Sequence, residues 1–285
     1  MKNILVTGGQ GQLATCINDI SKGGNDLNFT YVDIDKLDIT NQNTVNNFFN
    51  ENKFEYCINC AAYTAVDNAE SNQELAKQVN VIGARNLAYA CKNHNVVLIH
   101  ISTDFVFDGN QANFYTEDDS TYPLSVYGIT KRNGEIEIAN ILKEHFIIRT
   151  SWLYSEHGNN FLKTMLRLGS ERENLNVVVD QIGTPTYAGD LANVIVNLIQ
   201  QDASLFGTYH YSNEGVASWY DFAVAIFNLS NLEVQVAPIK TEAFPTPAMR
   251  PKNSIMDKSK IKEAFNLQIP YWRESLENCI KKNIH

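Results

Sequence analysis

Short apolar runs alternate with amphipathic stretches through the first half of the chain. Asn3-Ile4-Leu5-Val6-Thr7, Phe29-Thr30-Tyr31-Val32, Tyr56-Cys57-Ile58-Asn59-Cys60, Val96-Val97-Leu98-Ile99-His100-Ile101 and His145-Phe146-Ile147-Ile148-Arg149 are the runs. Each is short and nearly continuous in apolar residues, as a strand buried on both faces must be. The stretches between them predict helices over about 12–20, 43–52, 70–93 and 125–142. In the third, Leu75, Val79, Ile82, Leu87 and Ala90 are among the apolar positions. Five strand–helix alternations predict an α/β fold of Rossmann type, a doubly wound parallel sheet.

After Thr150-Ser151-Trp152 the alternation loosens. Helices are expected from Asn159-Asn160-Phe161 to about Leu168, from Gly189 to Gln200, from a cap at Ser218 to about Leu229, and over Ser275 to Lys282. Val177-Val178-Val179 reads as a short strand and Gly183-Thr184-Pro185-Thr186 as a turn. Gly207-Thr208-Tyr209-His210-Tyr211 reads as a strand returning to the main sheet. The organisation expected is a dinucleotide-binding domain over 1–150, with 187–213 returning to it. A smaller, interleaved substrate lobe covers 151–186 and 214–285.

The turns between these elements carry the candidate chemistry. The first strand meets Gly8-Gly9-Gln10-Gly11-Gln12-Leu13-Ala14. Glycines at 8 and 11 let the backbone turn tightly and approach a ligand, and the helix that follows points its amides and dipole at a pyrophosphate. Ala14 is small enough for close helix–strand packing. Asp33, at the end of the second strand, is placed to accept hydrogen bonds from an adenosine ribose and to repel a 2′-phosphate. Asp35 competes for that role and Lys36 offsets the repulsion. Asp38-Ile39-Thr40-Asn41 has the composition of an Asx or capping turn. Ala61-Ala62-Tyr63-Thr64 closes the third strand with residues that let a cofactor pass near the backbone, and Ser102-Thr103-Asp104 closes the fourth with hydroxyls. Tyr127 and Lys131 are four apart on one face of the next helix. An ammonium beside a phenol predicts a tyrosine pKa pulled down from about 10 by roughly two to three units, within reach of proton exchange with a substrate oxygen.

Composition narrows the classes. The chain has 285 residues, 44% hydrophobic and 19% charged, with a formal net charge of −9. That balance argues against a nucleic-acid surface. No apolar run approaches the roughly 20 residues of a membrane span, and no signal-peptide core follows Met1, so a cytoplasmic protein is expected. Five scattered cysteines agree. Cys57 and Cys60 form a C-x-x-C, but residues three apart in a strand point to opposite faces. Core packing is the expectation there, and no metal site is expected.

Taken together these motifs resemble the extended short-chain dehydrogenase/reductases, and most closely the dTDP-4-dehydrorhamnose reductases. The blocks that carry the resemblance are Gly8-x-x-Gly11-x-x-Ala14, the run from Asn59 through Ala61-Ala62-Tyr63-Thr64-Ala65-Val66-Asp67 to Glu70, and Ser102-Thr103-Asp104-Phe105-Val106-Phe107-Asp108-Gly109. Tyr127-x-x-x-Lys131, Arg149-Thr150-Ser151-Trp152-Leu153-Tyr154 and Arg250-Pro251-Lys252-Asn253-Ser254 complete the set. The resemblance implies NADPH- or NADH-dependent reduction of the C4 keto group of a nucleotide-linked sugar, with Thr103, Tyr127 and Lys131 catalytic. It implies cofactor contacts from Gly11, Gln12, Leu13, Asp38, Ile39, Ala62, Tyr63, Thr64, Tyr127 and Lys131. Gly8 and Asp33 join them from the turn reading. Val66, Thr103, Asp104 and Trp152 would line the sugar site. Core is the commoner fate of a tryptophan, but at the end of the fifth strand Trp152 is expected to stack on the sugar or base, and Arg250 suits a pyrophosphate. Cys16 stands near where some members carry a glutamate used in metal-bridged dimers, so no metal is carried over. A monomer or homodimer is expected. The alternatives are another nucleotide-sugar reductase, an epimerase, and a regulatory subunit of the methionine adenosyltransferase type.

Overall fold

A computed structural model describes residues 1–21 and 26–283. The first half runs β1 (Lys2–Thr7), α1 (Gln12–Ser21), β2 (Leu27–Val32), α2 (Gln42–Glu51), β3 (Tyr56–Asn59), α3 (Val66–Ala69), α4 (Gln73–Lys77), α5 (Ala84–His94), β4 (Val97–Thr103), α6 (Val126–Ile141) and β5 (His145–Thr150). The second half adds β6 (Leu153–Tyr154), α7 (Phe161–Glu171), β7 (Asn174–Val178), β8 (Ile182–Gly183), β9 (Thr186–Tyr187), α8 (Ala188–Gln200) and β10 (Gly207–His210). It ends with β11 (Ala217–Ser218), α9 (Trp219–Leu229), β12 (Gln235–Ile239), α10 (Ser259–Phe265) and α11 (Trp272–Asn283).

The main sheet has the order β10-β5-β4-β3-β1-β2, and every pair in it is parallel. This is the doubly wound α/β fold. The chain leaves β1 on one side to make β2 and on the other to make β3. That reversal opens a crevice at the C-terminal ends of β1 and β3.

Alternation along each strand supplies both layers of core. Ile4, Val6, Ile58, Ile99 and Ile148 pack with Leu13, Ile17, Leu191 and Ile195 of α1 and α8. Leu5, Cys57, Leu98 and Ile147 pack with Val45, Leu87 and Ile138 of α2, α5 and α6. Cys57 and Cys60 accordingly serve opposite faces, Cys60 packing against the first cluster. A third cluster, around Tyr154, Leu162, Phe222, Trp272 and Leu276, holds α7, α9 and α11 together. Ser218 opens α9 with a reciprocal capping box to Asp221.

One helix differs from expectation. The stretch over 70–93 is not one continuous amphipathic helix. It holds the short α4, widens to a π-helical turn over Gln78–Gly83, and resumes as α5. Within that turn lies Asn80, a buried polar residue on what the pattern treats as a helix face. Its side chain accepts from Tyr63 N at 2.8 Å and donates to Tyr63 O and to Thr130 Oγ1. On the facing α6, a side chain at Gly134 would collide with Asn80 O. Leu75 is correspondingly no core residue; it is 53% exposed. Among the described residues no helix is long and apolar enough to cross a membrane.

Candidate active site

The crevice is a cavity of about 910 Å³. The loop between β1 and α1 forms its floor. Gly8 has φ +64°, and a Cβ there would stand 2.7 Å from Ala61 N, so only glycine lets the β1 and β3 ends close together. Gly11, Gln12 and Leu13 follow at the start of α1 and line the cavity. Asp33 ties this loop to β2: its carboxylate accepts from Gln10 N at 3.1 Å and from Ile34 N at 2.9 Å. Asp38 makes an Asx turn, accepting from Thr40 N and Oγ1, and still faces the cavity with Ile39. Ala62, Tyr63 and Thr64 complete this half, the backbone of Tyr63 being held on both sides by Asn80. Asn80 has no sequence signal beyond being a polar residue on an apolar helix face.

The other half gathers Val66, Thr103, Asp104, Tyr127, Lys131, Trp152 and Arg250. Thr103 ends β4; its hydroxyl donates to Asp104 Oδ1 at 3.1 Å and accepts from Phe105 N at 3.2 Å. Asp104 is buried, which pushes its carboxyl up to about 6 against hydrogen bonds from Ser254 and Thr103. Ser125 caps α6, accepting from Gly128 N at 3.2 Å, and so fixes the first turn that carries Tyr127. A side chain at Gly128 would collide with Phe105 O, so the glycine lets the helix lie directly on the end of β4.

Tyr127 and Lys131 do share a face, but the predicted lowering of the tyrosine pKa is wrong for this protein. Burial pushes Tyr127 up to about 12; a hydrogen bond with Thr103 acts against the rise and the Asp104 charge adds to it. Burial also pulls Lys131 down from 10.5 to about 8, with the charge of Glu135 and then Cys60 opposing. Spacing on a helix fixes proximity, not solvation, and Lys131 turns its ammonium to the strand: Nζ donates to Ile101 O at 2.7 Å and lies 3.3 Å from His100 Nε2. The phenol therefore stands protonated at neutral pH, the form that donates a proton.

Behind Lys131 is a buried ion pair absent from the sequence reading. Arg149 donates through Nε (3.0 Å) and Nη2 (2.8 Å) to Glu135, one turn along α6, and Ser102 Oγ donates to the same carboxylate. This pair locks α6 to the ends of β4 and β5. Arg250 is not free for a ligand alone. Its Nη1 and Nη2 sit on Asp67 at 3.0 and 2.7 Å, and Nη1 also reaches Thr246 Oγ1. The loop over 246–250 is thus strapped to α3 at the cavity wall, and the Arg250 guanidinium holds the Asp67 carboxyl below its usual range. Trp152 stacks on Trp219, with ring centroids 3.6 Å apart and planes 7° from parallel. Trp219 also lines the cavity. Its only sequence signal was its place after the Ser218 cap.

The residues that could hold a dinucleotide meet in one place: a glycine turn without room for side chains, the start of a helix, and an acid at the tip of β2. A cavity of this size is at the upper end of the range for small-molecule sites and suits a cofactor beside a substrate.

Comparison with known proteins agrees with this geometry. A sequence profile of the family described as "RmlD substrate binding domain" matches residues 1–284. The dTDP-4-dehydrorhamnose reductase of Aggregatibacter actinomycetemcomitans is 41% identical, over 98% of each chain. Among solved structures, a dTDP-4-dehydrorhamnose reductase from Clostridium acetobutylicum superposes with a TM-score of 0.95 at 43% identity, covering 99% of this chain and 100% of that one. The Bacillus anthracis dTDP-4-dehydrorhamnose reductase in complex with NADP gives 0.94 at 42% identity, covering 99% of both. With a matching profile along nearly its whole length and relatives this similar, the chain belongs to the dTDP-4-dehydrorhamnose reductase family of NAD(P)H-dependent oxidoreductases.

Proposed function

We propose that this protein reduces the C4 keto group of dTDP-4-dehydro-L-rhamnose to give dTDP-L-rhamnose, a step in nucleotide-sugar and polysaccharide biosynthesis. The observation that carries this reading is the meeting of Thr103, Tyr127 and Lys131 on one wall of a cavity whose floor is the Gly8–Leu13 turn. A reduced nicotinamide supplies the hydride when bound. The chain's own residues do the rest. Gly8 and Gly11, the latter's amide closing the turn onto Gly8 O, let the backbone approach the pyrophosphate, the amides of Gln12 and Leu13 at the start of α1 bind it, and Asp33 accepts from the adenosine ribose. Asp38, Ile39, Ala62, Tyr63 and Thr64 frame the remainder of the cofactor, and Lys131 binds the nicotinamide ribose. Negative charge develops on the sugar oxygen as C4 is reduced. Tyr127 gives that oxygen its proton, and Thr103 hydrogen-bonds it. Val66, Asp104 and Trp152 line the sugar, and Arg250 faces the diphosphate.

Asp33 disfavours a 2′-phosphate, whereas the Bacillus anthracis relative is an NADP complex; NADPH or NADH is the cofactor. We assign the dinucleotide to 1–150 with 187–213, and the sugar nucleotide to a lobe of 151–186 and 214–285. The enzyme is placed in the cytoplasm, as a monomer or homodimer. Full-length relatives named as reductases favour this reaction over an epimerase or a regulatory subunit. The test is loss of nicotinamide absorbance with dTDP-4-dehydro-L-rhamnose, with NADH and NADPH in parallel. Substrate-dependent oxidation is expected; none with either cofactor, in protein that binds one, contradicts the proposal.

A further inference from the structure

Five non-glycine residues among those described have positive φ. Four are Asn95, Asp202, Asn231 and Asn266, types that tolerate the left-handed region. The fifth is Trp152, at φ 46°. A bulky residue there is strained and persists only where its surroundings enforce it.

Two neighbours enforce it. Trp219 covers one face of the indole almost in register, at 3.6 Å and 7°. Gly183 covers the other. A Cβ on Gly183 would stand 2.8 Å from Trp152 Cε2 and 2.9 Å from both Cζ2 and Nε1. An atom approaching in the ring plane would meet Cζ2 and Nε1 before the carbon between them. Cε2 being nearest puts Gly183 over the ring, on the side Trp219 leaves open. Trp219 is itself fixed, as the first residue of the Ser218-capped α9, with Phe161 behind it at 4.7 Å. The Trp152 backbone is tied down as well: Thr186 N donates to Trp152 O at 3.2 Å, and Ser151 Oγ donates to Thr184 O at 2.7 Å. Trp219 thus lies over one face and Gly183 over the Nε1–Cζ2 edge of the other, and the one polar group on the rim of the ring is Nε1–H.

We propose that Trp219 and Gly183 are positioning residues that hold Trp152 edge-on, so that the pyranose of the substrate meets an indole N–H donor and not an aromatic face. This rests on the sugar-nucleotide reading of the cavity. An exposed face would accept the apolar side of almost any pyranose. A fixed rim with one donor instead selects a ring that puts an oxygen against it, which makes the strained tryptophan a device for sugar discrimination.

The test uses W219L, W219F and W152F in the full-length enzyme. Two stacked indoles give an exciton couplet in the far-ultraviolet circular dichroism, read on the free protein without substrate. W219L is expected to lose the couplet and to raise the KM for the keto-sugar nucleotide by about tenfold, the scale of one hydrogen bond, with NADPH affinity unchanged. W219F keeps an aromatic cover and is expected to restore the wild-type KM within about twofold. W152F keeps the ring and loses the donor, and is expected to match W219L in KM. A wild-type KM in W219L or W152F would overturn the proposal, as would W219F no better than W219L. Failure of the wild type to reduce any 4-keto sugar nucleotide would instead overturn the functional reading, and the couplet would still report the clamp.

Discussion

Lys131 is held in a place that costs stability, and replacing it measures the cost. The side chain is 2% exposed, and burial brings its pKa from 10.5 to about 8. At about 1.4 kcal/mol per unit, that is roughly 3 kcal/mol against keeping the ammonium charged inside the fold. Lys131→Met removes this cost and forfeits the hydrogen bond to Ile101 O, worth about 1 kcal/mol. The net expectation is a variant about 2 kcal/mol more stable than the wild type at pH 7, with weakened cofactor binding and turnover. An unfolding entropy of about 2.1 cal/mol/K per residue over 285 residues converts this to a Tm rise of about 3 °C. The pH dependence fixes the sign. Below about pH 8 Lys131 is protonated in both folded and unfolded chains, and the full cost is present. Between about 8 and 10.5 the unfolded chain binds more protons, so the wild type gains stability as pH rises. The variant's advantage should shrink across that window and be largest below it. Thermal unfolding of both proteins without cofactor, from pH 7 to pH 10, is the assay. A Lys131→Met protein less stable than wild type at pH 7, or an advantage that grows with pH, would refute the reasoning.

Three further expectations follow from the site. Tyr127→Phe should lower kcat by about 10²–10⁴-fold with NADPH affinity retained, read by steady-state kinetics and cofactor titration; near wild-type turnover would remove Tyr127 as proton donor. Glu135→Gln leaves the buried Arg149 guanidinium without its counter-charge and should cost about 3–5 kcal/mol in denaturant unfolding, whereas a loss under about 1 kcal/mol would mean the pair is not doing this work. Arg250→Ala should raise the sugar-nucleotide KM by about 10–100-fold through lost charge-assisted hydrogen bonds, and an unchanged KM would leave Arg250 only as the strap to Asp67.

The sheet was legible because its central strands, β1, β3, β4 and β5, are largely buried on both faces and so are written as nearly unbroken apolar runs. The glycine turn was legible because Gly8 answers a backbone constraint that no other residue meets. Residues on one loop or one helix turn, such as Ser102-Thr103-Asp104 and Tyr127/Lys131, reach the cavity together because local geometry brings them there. What was hidden depends on contacts across the chain. The π turn holds Asn80, whose hydrogen bonds reach Tyr63 and Thr130, 17 and 50 residues away. The Trp152–Trp219 stack, the Asp67–Arg250 strap and the Glu135–Arg149 pair likewise join separate elements. The direction of the Tyr127 pKa shift was missed for a related reason: four-residue spacing says nothing about burial, and burial dominates here.

The central claim is that hydride reaches the sugar at C4 beside Tyr127. It is tested most directly with NADPH carrying deuterium in the transferable position. The enzyme is incubated with dTDP-4-dehydro-L-rhamnose, and the product is read by NMR and mass spectrometry. The account predicts a single deuterium, at C4 of a 6-deoxyhexose nucleotide, formed at least a hundredfold more slowly by Tyr127→Phe. Cofactor oxidation with deuterium elsewhere or nowhere in the sugar, or product formed as fast by the phenylalanine variant, would contradict it.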